Sequence, residues 1–492
     1  MEDEIGLNLS DVLSGFTPSV LHSRNGRVAT APVLASSTST STSPILESMS
    51  ASLPPPLDTA LLADFDPDRL TFQDRASAIG LLSGWADFVQ DDPQSWSNYD
   101  ETTAEDYFLN YGGVTENLYN ELVSPMLHVL PMGPGSDISA AAALSCFHVF
   151  ALQTRGAFDV RWAKGGLSEL IFDPWREKLE GKGVRVLGGK RVNGIEMVEG
   201  GKGVVVTVED GDEYVADAVI LAVGGTSAAK IKAGSGALKD ASGAKKMESL
   251  RGVTCVAARI WVKPSSVTTG LGGGAHSTTT LPNSVARAME ASPIAVVGAG
   301  VLPELEETGF CIYDLNRMHD EQHSAEDTAC IEVDMYRADG VADIDDDAVV
   351  ELALRAVSSA LKIPPLDVKV VDKAIVRARN AVSHFNVGSA AASPPVKLGE
   401  GLYACGDYVD RGGHASWSTE KSVVTGKQVA ERVGRDLGVT IDGGVIPAAL
   451  DTPQLERLRR LSKAVRRITP ETQRLPLPAP WTIGKWIKGG RK

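Results

Sequence analysis

The segment from Gly401 to Val433 constrains the fold of this chain more than any other part of the sequence. It contains a short apolar strand over Leu402–Cys405, a Gly406-Asp407 break, a glycine-rich loop, and a helix that begins at Ser418 or Thr419. In this order, the first backbone N–H groups of the helix and the positive end of its dipole face the mouth of the loop. The sequence therefore predicts a binding site for an electron-rich ligand at this point.

Several side chains of this segment are candidates for contact with that ligand, and each has a simpler structural interpretation. The Asp407 carboxylate suits hydrogen bonding to a sugar hydroxyl near a phosphate, or it caps the loop. His414 either faces the ligand or bonds to backbone, and Trp417 either walls the ligand or packs beneath it. We expect Cys405 to be a small buried residue and Lys421 to lie on the surface of the first helical turn.

The composition excludes several classes of function. The chain has 492 residues, 43% of them hydrophobic, which is enough for about two to four domains. Its net charge of -15 makes nucleic acid an unfavourable partner. Five widely spaced cysteines without a C-x-x-C pair predict reduced thiols in an intracellular compartment, with no disulfide framework and no metal site.

The sequence shows no segment that is typical of membrane insertion or targeting. The longest apolar candidate, Ile138–Leu152, is interrupted by Ser145, Cys146 and His148, and it is shorter than the roughly 18–20 residues that cross a bilayer. The acidic start MEDEIGL resembles neither a secretory signal nor a transit peptide.

Regular structure is predicted from residue 57 onward, after a Ser/Thr/Pro-rich flexible loop at residues 35–56. Apolar periodicity predicts a helix over Ala76–Val89. Thr102 with Glu105 forms a capping box in front of the next helix. Two further helices are expected, over Glu116–Val123 and Asp347–Lys362.

Residues 158–250 have the pattern of an α/β layer. A helix over Leu167–Leu179 precedes a strand over Val184–Leu187, and a hairpin pairs Gly203–Val208 with Glu213–Val215. The run ADAVILAVGG, Ala216–Gly225, predicts a fully buried strand that ends in a glycine pair.

The C-terminal residues 453–492 are basic, although the rest of the chain is acidic. Thr452 caps a helix that begins at Pro453. This helix either packs on the body of the protein with a solvated basic face, or lies on an anionic membrane with Trp481 and Trp486 at headgroup level. Its apolar side chains recur at helical spacing: Leu455, Leu458, Leu461, Val465 and Ile468.

Five stretches together resemble the FAD-dependent amine oxidase and carotenoid (phytoene) desaturase superfamily. The resemblance implies an α/β fold of the two-domain FAD-dependent oxidoreductase type. It would combine a glutathione reductase-like FAD domain with a mixed-sheet and helical substrate domain. The stretches are Gly406–Gly426, Phe158–Trp175, Gly188–Ile195, Ala216–Gly225 and Tyr99–Leu127.

The resemblance also implies how the chain is divided. Residues 1–157 and 251–395 would form the substrate domain. Residues 158–250 and 396–436 would form the FAD domain, and residues 437–492 a basic amphipathic tail.

FAD-contacting roles follow from the same resemblance. Ser418 and Thr419 would donate N–H groups to the pyrimidine carbonyl of the isoalloxazine, and the Val192 backbone would meet the adenine. The small Gly426 would let the helix pack closely. The implied site residues are Val192, Gly406, Asp407, Ser418 and Thr419 for FAD, and His414 and Trp417 for catalysis.

One part of the family pattern is missing. The family begins with a strand, a G-x-G-x-x-G turn and a helix that hold the pyrophosphate, whereas no such sequence precedes residue 57. Gly298-Ala299-Gly300 imitates the turn but continues to Pro303, so we expect it to belong to the substrate domain. We interpret residues 5–34 as the first substrate-domain strands, and we expect the chain as given to bind FAD weakly or not at all.

The resemblance implies FAD-dependent oxidation of an apolar polyene, by desaturation or isomerisation, with hydride transfer to flavin. Oxidation of the C–N bond of an amine is the first alternative, although the sequence offers no identifiable aromatic pair around an amine. A flavin-less binding or scaffold protein derived from an oxidase is the second. The expected partner is a lipophilic small molecule, and the family suggests a chloroplast or other plastid.

Overall fold

The computed structural model describes residues 2–31, 33, 63–153, 159–200, 203–264, 282–319, 328–441, 443–468 and 476–482. The loop predicted at residues 35–56 lies outside the described residues. The described chain forms one large sheet, two small sheets and a layer of helices.

The described residues form fourteen strands. They are β1 (Ser19–Ser23), β2 (Gly26–Ala31), β3 (Asp64–Phe65), β4 (Val192–Met197), β5 (Val204–Val208), β6 (Glu213–Ala216), β7 (Val219–Leu221), β8 (Arg251–Pro264), β9 (Ile294–Val297), β10 (Gly309–Asp314), β11 (Ala329–Tyr336), β12 (Val368–His384), β13 (Lys397–Gly399) and β14 (Leu402–Ala404).

The α-helices follow the same numbering rule. They are α1 (Glu2–Ile5), α2 (Leu9–Val12), α3 (Phe72–Ser77), α4 (Leu81–Asp87), α5 (Pro93–Asp100), α6 (Ala104–Asp106), α7 (Glu116–Leu118), α8 (Ser124–Val129), α9 (Ala140–Phe147), α10 (Asp173–Gly181), α11 (Gly225–Ala233), α12 (Gly236–Asp240), α13 (Asn283–Ala288), α14 (Leu315–Met318), α15 (Asp339–Ala342), α16 (Asp346–Leu361), α17 (Ser389–Ala392), α18 (Ser418–Asp436) and α19 (Pro453–Ile468).

The larger lobe is built on one eight-stranded sheet with the order β12-β8-β11-β10-β9-β1-β2-β3. Its strands are antiparallel except for the β1–β9 pair, which is parallel. Helix α16, predicted from its apolar periodicity, packs on one face, where Val256, Ile260 and Val357 belong to a common buried core. The strands expected within residues 5–34 are present as β1 and β2, so the prediction that regular structure begins only at residue 57 is wrong. The assignment of residues 5–34 to a substrate domain stays a prediction.

The glycine-containing turn after β9 also belongs to the larger lobe. Strand β9 lies between β10 and β1 inside the eight-stranded sheet. A Cβ atom at Gly298 would lie 2.7 Å from the Pro125 side chain, so this glycine allows α8 to approach the turn closely. The expectation that Gly298-Ala299-Gly300 belongs to the substrate domain and not to a nucleotide site stays a prediction.

Helices α3 to α9 surround a second core that is rich in aromatic rings. Tyr99, Tyr107 and Phe108 are fully buried. Tyr99 meets Phe88 and Tyr107 edge to face, with ring centroids 5.8 Å and 5.5 Å apart. This aromatic network stabilises the helical layer through burial and ring contacts together.

Two helix predictions in this layer need correction. The helix expected over Ala76–Val89 is divided by a 3₁₀ turn at Ala78–Gly80. A Cβ atom at Gly80 would lie only 1.8 Å from the Gly112 carbonyl oxygen, which shows how closely the two segments approach. The cap of α6 is Thr103 rather than Thr102, because the Thr103 hydroxyl accepts the Asp106 N–H at 3.2 Å.

The smaller lobe contains two three-stranded sheets, β13-β14-β7 and β4-β5-β6. Strands β7 and β14 are parallel, and β13 is antiparallel to β14. The predicted hairpin is present as β5 and β6. Ile195, Leu221 and Leu402 lie in the buried core of this lobe.

The smaller lobe has apolar surface with no neighbour among the described residues. Strand β7 is at a sheet edge and Ile220 is 41% exposed, so the prediction of a fully buried strand is wrong. The predicted strand Val184–Leu187 joins no sheet and its valines are exposed. Helix α10 buries no residue, and the nearby Phe172 is exposed. A strand needs a partner for its N–H and C=O groups, and no described segment supplies one here.

The tail helix α19 begins at Pro453 and Thr452 caps it, as predicted; the Thr452 hydroxyl lies 3.3 Å from the Leu455 N–H. It packs against α4 of the helical layer. Ser462 and Arg466 both donate to the Asp87 carboxylate, and Leu455 is buried in the core of the helical layer. No helix in the described residues is long and apolar enough to cross a membrane.

One face of the large sheet carries a part-buried acidic group in strand β11. Asp334 lies directly across from Cys311 of β10, and its Oδ1 has no hydrogen-bond partner among the described residues. Burial, reinforced by the neighbouring Glu332, raises the pKa of Asp334 from an ordinary 3.8 to about 7. The folded state therefore binds a proton that the unfolded state releases.

Asp334→Asn should remove a pH dependence of stability. Between about pH 4 and about pH 7 the folded chain holds one proton more at Asp334 than the unfolded chain, so this group lowers the stability as pH rises. We expect the variant to equal the wild type near pH 4 and to be about 1–3 kcal/mol more stable near pH 8. Urea unfolding at both pH values tests this, with Asp343→Asn as an exposed control. Equal stability at pH 8 would contradict it.

Candidate functional site

The predicted strand, loop and helix form as expected, with the strand at β14 and the helix at α18. Trp417 precedes the helix without a side-chain cap, and Ser418 has a φ of +49°. No partner is found among the described residues for the N–H groups of Ser418, Thr419 and Glu420. These three residues are exposed. A long helix with unsatisfied N–H groups offers donors and a positive dipole end to an electron-rich group.

Thr425 fixes the helix against the end of β14. Its hydroxyl accepts the Gly406 N–H at 3.0 Å and lies 2.9 Å from the Lys421 carbonyl, to which it donates. Gly406 has a φ of +139°, and a Cβ atom there would lie 3.0 Å from the Tyr408 ring. The prediction for Gly426 is wrong, because a Cβ atom there would meet no described atom within 4 Å. Thr425, not Gly426, makes the close contact.

The structure brings Asp407, His414 and Trp417 to the same loop but gives them protein partners. The Asp407 carboxylate accepts from Ser383 at 2.7 Å. His414 Nε2 lies 2.9 Å from the Ile446 carbonyl, so this nitrogen carries the proton. The Trp417 ring packs on Phe385 with centroids 4.5 Å apart and is 4% exposed. For His414 and Trp417, these contacts match the simpler structural interpretation.

Val192 lies away from this loop. It begins strand β4 in the other small sheet, opposite Val208, and packs on the small-lobe core. Cys405 is half-buried, and burial raises its pKa, as expected for an unreactive packing residue.

Lys421 was expected on the surface, and this prediction is wrong. Its side chain is 6% exposed, and its ammonium lies 5.6 Å from the centre of the Phe385 ring. No carboxylate among the described residues forms an ion pair with it. Burial, together with the nearby Arg411, lowers the pKa of Lys421 to about 7, while Asp407 and Asp410 act in the opposite direction.

Arg411 is a second buried cation beside the helix start, and no local sequence pattern indicates that it is buried. It is 4% exposed and donates to Gln90 and Ser145 of the helical layer, each at 2.7 Å, and to the Ser416 carbonyl. The Ser416 hydroxyl is fully buried without a partner among the described residues. Neutral groups solvate this cation, so the positive charge beside α18 is not cancelled.

A cavity lies beside the end of β12, and sequence reasoning missed it. Neighbouring residues of a strand point to opposite faces, so Ser383 reaches Asp407 whereas His384 lines a cavity of about 740 Å³. His384 Nε2 donates to Asp137 at 2.8 Å, and Arg337 donates to the same carboxylate at 2.7 Å. His384 and Asp137 are far apart in sequence, and no local pattern connects them.

The comparisons with known proteins place this arrangement in a family. The model of flavin containing amine oxidoreductases matches residues 1–434. The chain belongs to the flavin-containing amine oxidoreductase family. No curated protein matches the sequence. The family supports the predicted fold class and the expectation of a flavin.

Solved structures of the same fold are similar over most of the chain. Cyclohexylamine oxidase from Brevibacterium oxydans IH-35A has a TM-score of 0.54 and 13% identity, over 89% of this chain and 84% of the enzyme. Putrescine oxidase bound to putrescine gives 0.51 and 13%, over 88% and 84%. Reduced UDP-galactopyranose mutase gives 0.52 and 11%, over 91% and 83%. At these identities the likeness establishes the fold alone.

The described residues fit one end of a flavin better than the other. The unsatisfied N–H groups of α18 and the unpartnered Ser416 hydroxyl suit the carbonyl edge of the ring system. At the pyrophosphate end, no described turn between a strand and a helix has the G-x-G-x-x-G sequence, and the edge of β7 is open. The described residues also contain no cluster of His, Cys, Asp or Glu that could hold a metal ion.

Thr425→Val tests the hydrogen bond from the Gly406 N–H to the Thr425 hydroxyl, which joins α18 to the end of β14. Valine keeps the volume but leaves the buried Gly406 N–H without an acceptor, which should lower the free energy of unfolding by about 1–3 kcal/mol. Thr425→Ser keeps the hydroxyl and should lose less. Urea unfolding of the three proteins checks the order, and equal losses in the two variants would contradict it.

Lys421→Met tests the burial of an unpaired ammonium. The unfolded chain binds a proton at Lys421 up to an ordinary pKa of 10.5, whereas the folded pKa is about 7, so this lysine destabilises the fold at neutral pH and below. Methionine should raise the stability near pH 7 by about 1–3 kcal/mol, and the gain should shrink toward pH 10. Lys369→Met, at an exposed position, should change little. Thermal unfolding across pH measures both, and a pH-independent effect would contradict the assignment.

Proposed function

We propose that this protein is an FAD-dependent oxidoreductase that desaturates or isomerises an apolar, polyene-like substrate. The observation that carries the proposal is the start of α18. There the N–H groups of Ser418 and Thr419 have no partner among the described residues, and Thr425 fixes the helix against the end of β14. FAD, when bound, supplies the hydride acceptor. The protein supplies binding, orientation and exclusion of water.

The residues around the helix start have defined tasks under this proposal. The N–H groups of Ser418 and Thr419 orient the carbonyl edge of the ring. Phe385 and Trp417 form an apolar wall that excludes water. Lys421 and Arg411 add positive charge in a site of low solvent access, where developing negative charge is stabilised most strongly.

Two observations favour an apolar substrate over an amine. Phe385 and Trp417 lie with ring centroids 4.5 Å apart, so no ammonium group fits between them; a cation stacked on each ring needs a larger gap. Lys421 and Arg411 are both buried beside the same loop, and their charge repels a protonated amine. Amine oxidation remains the second candidate, supported by the family whose model the chain matches.

The pyrophosphate end of FAD requires polypeptide beyond the described residues. The open edge of β7 and the exposed apolar side chains of Val184–Leu187 and α10 support this inference, because a parallel sheet is normally covered on both faces. A flavin-less binding or scaffold role is the third candidate, and the same incomplete lobe supports it. A lipophilic partner and a plastid location are proposed on the family resemblance alone.

Titration with riboflavin, FMN and FAD separates these cases. If only the ring end is recognised, the 492-residue chain should bind all three weakly and with similar affinity, because the phosphates and adenine add no contacts. Quenching of flavin fluorescence measures the three dissociation constants. Tight, stoichiometric FAD binding would contradict the incomplete site, and no binding of any flavin would favour the scaffold role.

Substrate class is tested with flavin-loaded protein under anaerobic conditions. A polyene should bleach the flavin absorbance, whereas simple primary and secondary amines should not. Lys421→Met should raise the affinity for a cationic amine and leave polyene binding nearly unchanged, since it removes only the repulsion. Bleaching by amines alone would replace the polyene proposal with amine oxidation.

A further inference from the structure

The buried Asp87 carboxylate determines how the tail helix α19 is turned about its axis. Asp87 accepts from Tyr99 at 2.8 Å, from Ser462 at 2.7 Å and from Arg466 Nε at 2.9 Å. Arg459 is also buried and donates to the Phe88 carbonyl at 2.5 Å. Arg459, Ser462 and Arg466 thus lie on the side of the helix that contacts the protein, because a buried carboxylate needs these donors. The buried Leu455 lies on the same side.

This orientation turns part of the apolar stripe of α19 outward. Leu461 is 63% exposed, although a helix that packs on a protein usually buries its apolar side. The exposed stripe forms one wall of an apolar groove of about 390 Å³ between α19, α4 and the segment Leu477–Trp481. The groove is lined mainly by Ile79, Leu82, Leu458, Leu461, Val465 and Trp481.

The second wall of the groove is held firmly in place. Ala479 N–H and the Thr482 hydroxyl both donate to the Tyr111 carbonyl, at 2.7 Å and 2.8 Å. Trp481 rests on Gly113, where a Cβ atom would lie 2.3 Å from the indole nitrogen. Its ring remains 55% exposed, and Ile79 across the groove is 57% exposed. The groove is therefore a formed feature with an apolar rim.

Basic side chains flank this apolar rim. Arg457 lies one helical turn before Leu461, and Arg460, Lys463 and Arg467 are exposed on the same helix. None of these four forms an ion pair with a described carboxylate. Since the chain as a whole has a net charge of -15, this cationic surface is a local exception.

We propose that the groove and the basic side of α19 form a docking surface for an anionic phospholipid bilayer. Leu461, Ile79 and Trp481 would enter the boundary between headgroups and acyl chains, while Arg457 and Arg460 contact lipid phosphates. The apolar groove suits the acyl chains of such a lipid, and the cations at its rim suit the anionic headgroup. The binding needs no flavin, so it is independent of the proposed oxidoreductase activity.

Vesicle co-sedimentation tests this proposal. The purified chain should bind vesicles containing about 30 mol% phosphatidylserine, but not pure phosphatidylcholine vesicles, and high salt should weaken the binding. Arg457→Gln and Arg460→Gln should each weaken partitioning about fivefold. The matched control Arg191→Gln removes an exposed arginine of the smaller lobe and should have little effect.

The apolar part is tested separately. Leu461→Glu should weaken partitioning at least about tenfold, since it loses apolar burial and adds a repelled charge. Val215→Glu, at a 74% exposed position in the smaller lobe, is the control, and circular dichroism verifies folding. Equal effects of Leu461→Glu and Val215→Glu would overturn the proposal. The proposal would also be overturned if the wild-type chain did not bind anionic vesicles. The same holds if Leu461→Glu changed only the self-association of the protein and not its binding to vesicles.

Discussion

The need of each β-strand for a hydrogen-bonded neighbour determines which parts of the sheets in this molecule are stable in water. In the larger lobe six of the eight strands have neighbours on both sides, and α16 covers the apolar face. In the smaller lobe β7 has a neighbour on one side only, and Val184–Leu187 has none among the described residues. An unpaired apolar edge is unfavourable in water. The described residues of the same lobe also contain no G-x-G-x-x-G turn, so the open sheet edge and the proposed pyrophosphate end of the flavin site lie in one part of the molecule.

The contacts that hold the ring end of the site are of a different kind. Arg411 links the loop before α18 to Gln90 and Ser145 of the helical layer, so residues 401–433 and the helical layer share one buried cation. Lys421 adds a second cation, without an acidic partner among the described residues. Buried charges of this kind reduce stability, and their retention beside a helix N-terminus is consistent with a role toward an electron-rich ligand.

Sequence reasoning succeeded where the pattern is local and failed where burial depends on distant contacts. The strand, loop and helix at residues 401–433, the hairpin of β5 and β6, and α16 follow from periodicity and turn residues. Lys421 was misplaced because a lysine in a first helical turn is usually exposed, and only Phe385 and the loop around Arg411 bury it. The pairing of His384 with Asp137 joins residues 247 positions apart, which no local pattern can reveal.

By itself, the sequence determined the family, the order of the secondary structure and the start of α18, because spacing, glycines and caps act over a few residues. The tertiary structure alone decided which side of α19 meets the protein, because the buried Asp87 recruits Ser462 and Arg466 and thereby leaves Leu461 in solvent. It also decided that β7 is an edge strand. Burial and charge compensation are properties of the whole packing arrangement, and the chain acquires them only when its distant segments meet.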